Sequence, residues 1–216
     1  MENFQTNWSR RDLLKTIAML TGGAVVGGSL FMQGCKSNDS KVLNFSPTQI
    51  SLLDEIGETI IPTTDSPGAK AAEIGKFMKT IVGDCYTGEQ QKAFTAGLDG
   101  FDALCKKQNS KSFMECSAEQ RKAFLVSLEK EAKPFDDKVD AEDKIAKDAA
   151  KAKGYEAELA YQSKARHYYT MMKQLTLWGY FSSEVGMTQA RQYLPVPTKY
   201  DGAYAYKKGD KLMCDQ

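Results

Sequence analysis

Three tetrapeptides of one design constrain this chain more than anything else in it: Ser46-Pro47-Thr48-Gln49, Thr87-Gly88-Glu89-Gln90 and Ser117-Ala118-Glu119-Gln120. Each sets a hydroxyl three residues before a Gln. The hydroxyl can accept from the third backbone N–H of a helix, and the Gln side chain can reach back to the cap's own N–H, so donors orphaned at a helix start are satisfied reciprocally. Pro47 suits a first turn, where its missing N–H costs nothing. Apolar residues follow each box at helical spacing: Ile50, Leu53, Ile56, Ile60 and Ile61 up to a stop at Pro62; Phe94, Leu98, Phe101 and Leu104; Phe124, Leu125 and Leu128. Ala71 through Val82 reads as another helix, presenting Ile74, Phe77, Met78, Ile81 and Val82. Period-two alternation is absent and β-branched residues are sparse. The expected fold is all-α, a single compact multi-helix domain.

Between these helices, Pro62-Thr63-Thr64-Asp65-Ser66-Pro67-Gly68 is a turn-rich connection. Residues 129–160 alternate Lys with Asp and Glu and carry few apolar side chains, which predicts an exposed, solvated helical stretch. Paired carboxylates such as Asp136-Asp137 fall in that solvated stretch. The chain then turns aromatic. Tyr168, Met171, Leu175 and Trp178 share one helical face with Met172 beside them, and Gly179 is the expected end or kink of that helix. Apolar side chains extend beyond one stripe, so a second side must also be buried; a partner protein is one way to bury it.

Ahead of the helices lies an address. Ser9-Arg10-Arg11-Asp12-Leu13-Leu14-Lys15 matches the twin-arginine pattern S-R-R-x-F-L-K at its fixed positions except Leu13, and no charge follows from Thr16 to Met32. Residues 1–34 are therefore read as an export signal set apart from the fold. An ordinary secretory signal or an uncleaved anchor is the competing reading. Met32-Gln33-Gly34-Cys35 resembles a lipobox, with Cys35 as the candidate lipidation site, although Met32 and Gln33 fit that pattern poorly; a plain cysteine in a cleavage region is the alternative. Residues 35–45 form a flexible tether, and 46–216 the helical domain. Acyl chains on Cys35 would hold the protein at a membrane surface.

The first 34 residues hold three of the 29 basic and two of the 28 acidic residues, so the remainder balances at 26 of each. No basic surplus points to nucleic acid. Cys85, Cys105, Cys116 and Cys214 are disulfide candidates, with Cys105 and Cys116 the first guess for a pair and free buried thiols the alternative. Catalytic and cofactor signatures are missing. The chain has a single histidine, His167, no C-x-x-C-H, no dinucleotide fingerprint and no phosphate loop. The cysteines are too far apart for iron–sulfur or zinc-ribbon patterns. No catalytic, cofactor-binding or metal-binding residue is assigned.

The stretch from Leu52 to Thr87, the segments AFTAGLDGFDALCKK (93–107) and SFMECSAEQRKAFLVSL (112–128), and LTLWGYFSSEVGMTQARQYLPVPTKYDG (175–202) together resemble the gluconate 2-dehydrogenase subunit 3 family. The most specific pieces are IIPTTDSPGA (60–69) and GYFSSEVG (179–186). The resemblance spans most of residues 48–210. It departs in the charged segment near 136–158, which is longer than the family's, and at Ala203, where a Cys often follows the Gly.

The resemblance implies a small subunit without a cofactor of its own, in a membrane-associated flavin dehydrogenase of the glucose-methanol-choline type. FAD then sits in a large partner subunit that lacks an export signal. The small subunit supplies that signal to the twin-arginine machinery and escorts its folded partner outward, and electrons pass on to a cytochrome c subunit or another acceptor. The expected location is the periplasmic face of a bacterial membrane. Candidate partner contacts are Pro62, Asp65 and Pro67 in the turn-rich connection, and Trp178, Tyr180, Phe181, Ser183 and Glu184 in the aromatic segment. A stand-alone lipid-anchored scaffold and an autonomous exported enzyme are the competing readings.

Overall fold

The computed structural model describes residues 44–194, 196, 203, 205, 207–211, 213 and 214. The α-helices among them are α1 (Pro47–Ile60), α2 (Ile74–Cys85), α3 (Gly88–Asn109), α4 (Ala118–Lys153), α5 (Tyr155–Leu159) and α6 (Tyr168–Ser182). The three capping boxes open α1, α3 and α4. Each hydroxyl accepts from the Gln backbone N–H at 3.2–3.3 Å, and each Gln side chain accepts from the cap N–H at 2.8–3.0 Å. Short 3₁₀ turns cover Ala69–Ala72 and Phe113–Glu115, and a π-helical turn covers Gly186–Ala190. The strand content among the described residues is one parallel two-residue pairing, Gln192 with Met213 and Tyr193 with Cys214.

α6 touches each of α1, α2, α3 and α4, which explains its composition. Tyr169, Met171, Met172, Leu175, Thr176, Gly179 and Tyr180 are all buried, and at 3.6 residues per turn they cover about half the helix circumference. Much of the apolar surplus read as a partner surface is thus spent within the domain. Two glycines let the helices approach closely. A Cβ on Gly97 of α3 would lie 2.1 Å from Tyr168 Cγ, and one on Gly179 would lie 2.5 Å from Phe77 Cδ1. Elsewhere the core is aromatic: Phe101, Phe113 and Phe124 meet pairwise at 5.2–6.2 Å between ring centroids, and Phe45 stacks on Phe94.

Several expectations change. The helix read from Ala71 begins at Ile74, because Glu73 takes the left-handed conformation (φ 51°) between the 3₁₀ turn and α2. Leu104 is 42% exposed, and Cys105 is the buried residue that continues the α3 stripe. Gly179 does not end α6, which runs on to Ser182; it makes room for Phe77. α4 runs through Pro134, which costs the ladder one backbone donor.

The charged stretch is largely exposed, but Ala132, Asp136 and Val139 are buried. Asp136 does not sit in solvent: it accepts from the His167 N–H at 2.8 Å and from the Thr170 hydroxyl at 2.5 Å, tying α4 to the start of α6. Farther along α4, Asp143 accepts from the Tyr161 hydroxyl at 2.8 Å and the Lys164 N–H at 3.2 Å. Glu142 pairs with Lys164, and Asp140 with Arg166. The alternating charges therefore fasten the returning chain to α4.

A candidate partner-docking face

The connection between α1 and α2 is shaped by three carboxylates of α1. Glu58 accepts from the Thr63 N–H (2.8 Å), the Thr63 hydroxyl (2.7 Å) and the Lys70 N–H (3.0 Å). The Thr63 hydroxyl oxygen in turn accepts from the Gly68 N–H. A Cβ on Gly68 would meet Glu58 Oε2 at 2.3 Å, so the tight approach depends on a residue without a side chain. Asp54 accepts from the Gly75 N–H at 2.7 Å; burial pushes its carboxyl up, and that hydrogen bond pulls against the shift. Glu55 pairs with Lys70 at 2.9 Å and with Arg121 of α4. Burial alone would raise the Glu55 carboxyl, but the two cations outweigh it and hold it below its ordinary value. These oxygens are committed to backbone and cations, which is a structural use.

Tyr180 closes the connection from the other side. Its hydroxyl donates to the Pro67 carbonyl at 2.5 Å, and the residue is 2% exposed. As a candidate contact residue Tyr180 is corrected: it is buried, and it acts as the fastener between the 62–68 loop and α6. Ser183 is also occupied within the chain. Its hydroxyl donates to the Tyr180 carbonyl (2.7 Å) and accepts from the Gly186 N–H (3.1 Å), which starts the π-helical turn.

The remaining candidates lie at the surface. Pro62, Asp65 and Glu184 are exposed, and Pro67 and Phe181 are half-buried. Trp178 is 54% exposed and meets Phe77 edge-on at 5.3 Å. The Arg191 guanidinium lies 4.5 Å over the Phe181 ring. An indole this exposed is poorly placed for the core and well placed for a partner. Two members of this region escaped the sequence reading. Phe77 read as core, and Arg191 gave no signal because its ring partner is ten residues away.

Between α4 and α6 lies an open cleft lined in part by Glu129, Asp136, Asp140, Arg166 and Lys173. Two ion pairs cross or border it, Lys173 with Glu129 and Arg166 with Asp140. Among the described residues no group of three or more His, Cys, Asp or Glu side chains gathers as a metal site requires. Nor is any described helix long and apolar enough to cross a membrane. Cys105 and Cys116 are brought together as buried free thiols, whereas Cys85 stands exposed and apart at the end of α2. Cys214 lies in the short strand pairing, where its backbone alone is described. The export-signal residues Ser9, Arg10, Arg11, Leu14 and Lys15, and the lipidation candidate Cys35, lie outside the described residues.

Comparison with known proteins yields one match. The model of the family described as gluconate 2-dehydrogenase subunit 3 covers residues 47–198, from the start of α1 past the end of α6. Neither the curated proteins nor the solved structures contain a match. A family match over more than half the length, embracing every described helix, means that this chain belongs to the gluconate 2-dehydrogenase subunit 3 family.

Proposed function

We propose that this chain is the non-catalytic small subunit of an exported, flavin-dependent sugar or alcohol dehydrogenase complex. The family match carries the reading: the family's own description names a subunit of a dehydrogenase. The carboxylates of α1 and Asp136 of α4 are engaged in holding helices and loops together, and exposed Trp178, with half-buried Phe77 and Phe181 nearby, offers a surface for a partner. In this reading the leader with Arg10 and Arg11 serves two chains. The large subunit binds FAD, folds in the cytoplasm and crosses the membrane as a passenger. Lipid at Cys35 then holds the complex at the outer face of the cytoplasmic membrane, where a cytochrome c subunit or another acceptor takes the electrons. Substrate choice belongs to the large subunit.

Purification of tagged protein from native membranes in mild detergent tests this. The expected product shows a flavin spectrum and a stoichiometric oxidoreductase-sized partner. A colourless, solitary, lipid-bearing protein would refute it and favour a stand-alone tethered scaffold. Turnover by the isolated chain without a flavoprotein would refute the non-catalytic role. Replacing Trp178 and Phe181 together by Ala is expected to reduce partner recovery at least about tenfold, as loss of a hot spot does. Full recovery would remove that surface from the interface.

A further inference from the structure

Cys105 sits in the last turns of α3, and Cys116 follows the 3₁₀ turn Phe113–Glu115, one residue before the α4 cap Ser117. The chain between them reverses through Ser110, which takes the left-handed conformation (φ 59°). Its return is fixed from both sides. Phe113 enters the core against Phe101 and Phe124, and its N–H donates to Asp102 at 3.0 Å. Arg121 donates to the carbonyls of Phe113 (2.9 Å) and Met114 (2.8 Å). This scaffold leaves the two sulfurs 3.7 Å apart, with Cys105 fully buried and Cys116 6% exposed. A disulfide needs about 2.05 Å between sulfurs, so closure asks for a movement of under about 2 Å.

We propose that Cys105 and Cys116 are a modification site, oxidised to an intramolecular disulfide that clamps the end of α3 to the start of α4 once the protein has left reducing surroundings. The oxidant is another disulfide, of a small molecule or of a thiol oxidoreductase. The thiolate of Cys116 attacks one of its sulfurs, forms a mixed disulfide and expels one thiolate. The thiolate of Cys105 then attacks the Cys116 sulfur, forms the internal bond and expels the second. Two electrons pass to the oxidant, and the two cysteine protons end on its released thiols. Cys116 is assigned the first attack because it keeps some exposure. Burial pushes the Cys105 thiol up to about 11, which suits it to the later, intramolecular step. The folded backbone already holds the two sulfurs 3.7 Å apart, so closing the bond requires no rearrangement of the fold. Its timing rests on the export reading; the chemistry of the pair does not.

The full-length chain is purified reduced, equilibrated in glutathione buffers from reducing to oxidising, quenched in acid, alkylated and digested with trypsin. The expected product links peptide 93–106 to peptide 112–121, two hydrogens lighter than the free pair, while exposed Cys85 is alkylated at every poise. Oxidation is expected to raise Tm by on the order of 5–10 °C, and Cys116→Ser to abolish that rise. Alkyl groups on both peptides in the most oxidising buffer, or a bond from Cys105 to Cys85, would overturn the proposal. Intact cells are alkylated in parallel, wild type against Arg10→Lys with Arg11→Lys. Linkage in the wild type alone supports closure after export. Linkage in vitro with free thiols in both strains, or linkage in both strains, overturns the timing while leaving the pair's chemistry standing. The export reading is judged separately, by whether the double variant alone loses the protein from the outer-face fraction.

Discussion

Replacing Tyr180 by Phe removes one oxygen from a residue that is 2% exposed and leaves the packing volume intact. What is lost is the 2.5 Å bond to the Pro67 carbonyl, which joins positions 113 residues apart. A neutral hydrogen bond contributes about 0.5–1.5 kcal/mol net, and a half-buried carbonyl left without its donor adds to the loss. The expected cost is about 1–2 kcal/mol. In urea it appears as a lower midpoint with an unchanged slope, since the exposed area hardly changes. The loss should be local first. The Gly68 and Ala69 amides, which donate to the Thr63 hydroxyl and the Ile61 carbonyl, are expected to exchange with solvent roughly 5–30 times faster. Amides within α3 should change only through global unfolding. An unchanged midpoint together with unchanged exchange at Gly68 and Ala69 would refute the idea that Tyr180 holds the loop.

Acidification gives a second prediction through the chain's single histidine. His167 caps α6 by accepting from the Tyr169 N–H at 3.3 Å, so it works as a neutral imidazole. Burial pulls its pKa below 6.5 against the raising influence of Glu131 and Asp136. The folded state therefore binds fewer protons than the unfolded one. The contribution is complete above pH 6.5 and is lost as pH falls through 6.5 toward the folded pKa. A one-histidine NMR titration should place the midpoint below 6.5, and His167→Asn should flatten the stability profile between pH 7.5 and 5.5; a midpoint at or above 6.5 would refute the assignment. Glycines on α2 give a paired test. A Cβ on Gly75 would lie 2.4 Å from the Ile50 carbonyl oxygen, whereas Gly83 has nothing within 4 Å. Gly75→Ala is expected to cost about 1–3 kcal/mol, and Gly83→Ala to be neutral or to gain up to about 1 kcal/mol, both read by urea denaturation.

What the sequence determined by itself is local in origin. Ser46, Thr87 and Ser117 sit three residues from their Gln partners, so a capping box needs no tertiary contact to be recognised. The spacing of Phe94, Leu98 and Phe101 likewise defines a buried stripe before any neighbour is known. The start of α2 at Ile74 was not legible, because Glu73 turns left-handed within a loop gripped by Glu58 and Asp54 of another helix. Asp136 read as solvated by its charged neighbours and was buried by a helix beginning more than thirty residues later.

The candidate docking face divides in the same way. Aromatic enrichment marked residues 168–181, but periodicity could not separate Tyr180, which turns inward to Pro67, from Trp178, which turns outward over Phe77. That choice depends on where α1 to α4 stand around α6. Side-chain direction along one helix follows from local geometry, whereas burial follows from what packs against it, and only the tertiary structure supplies the second.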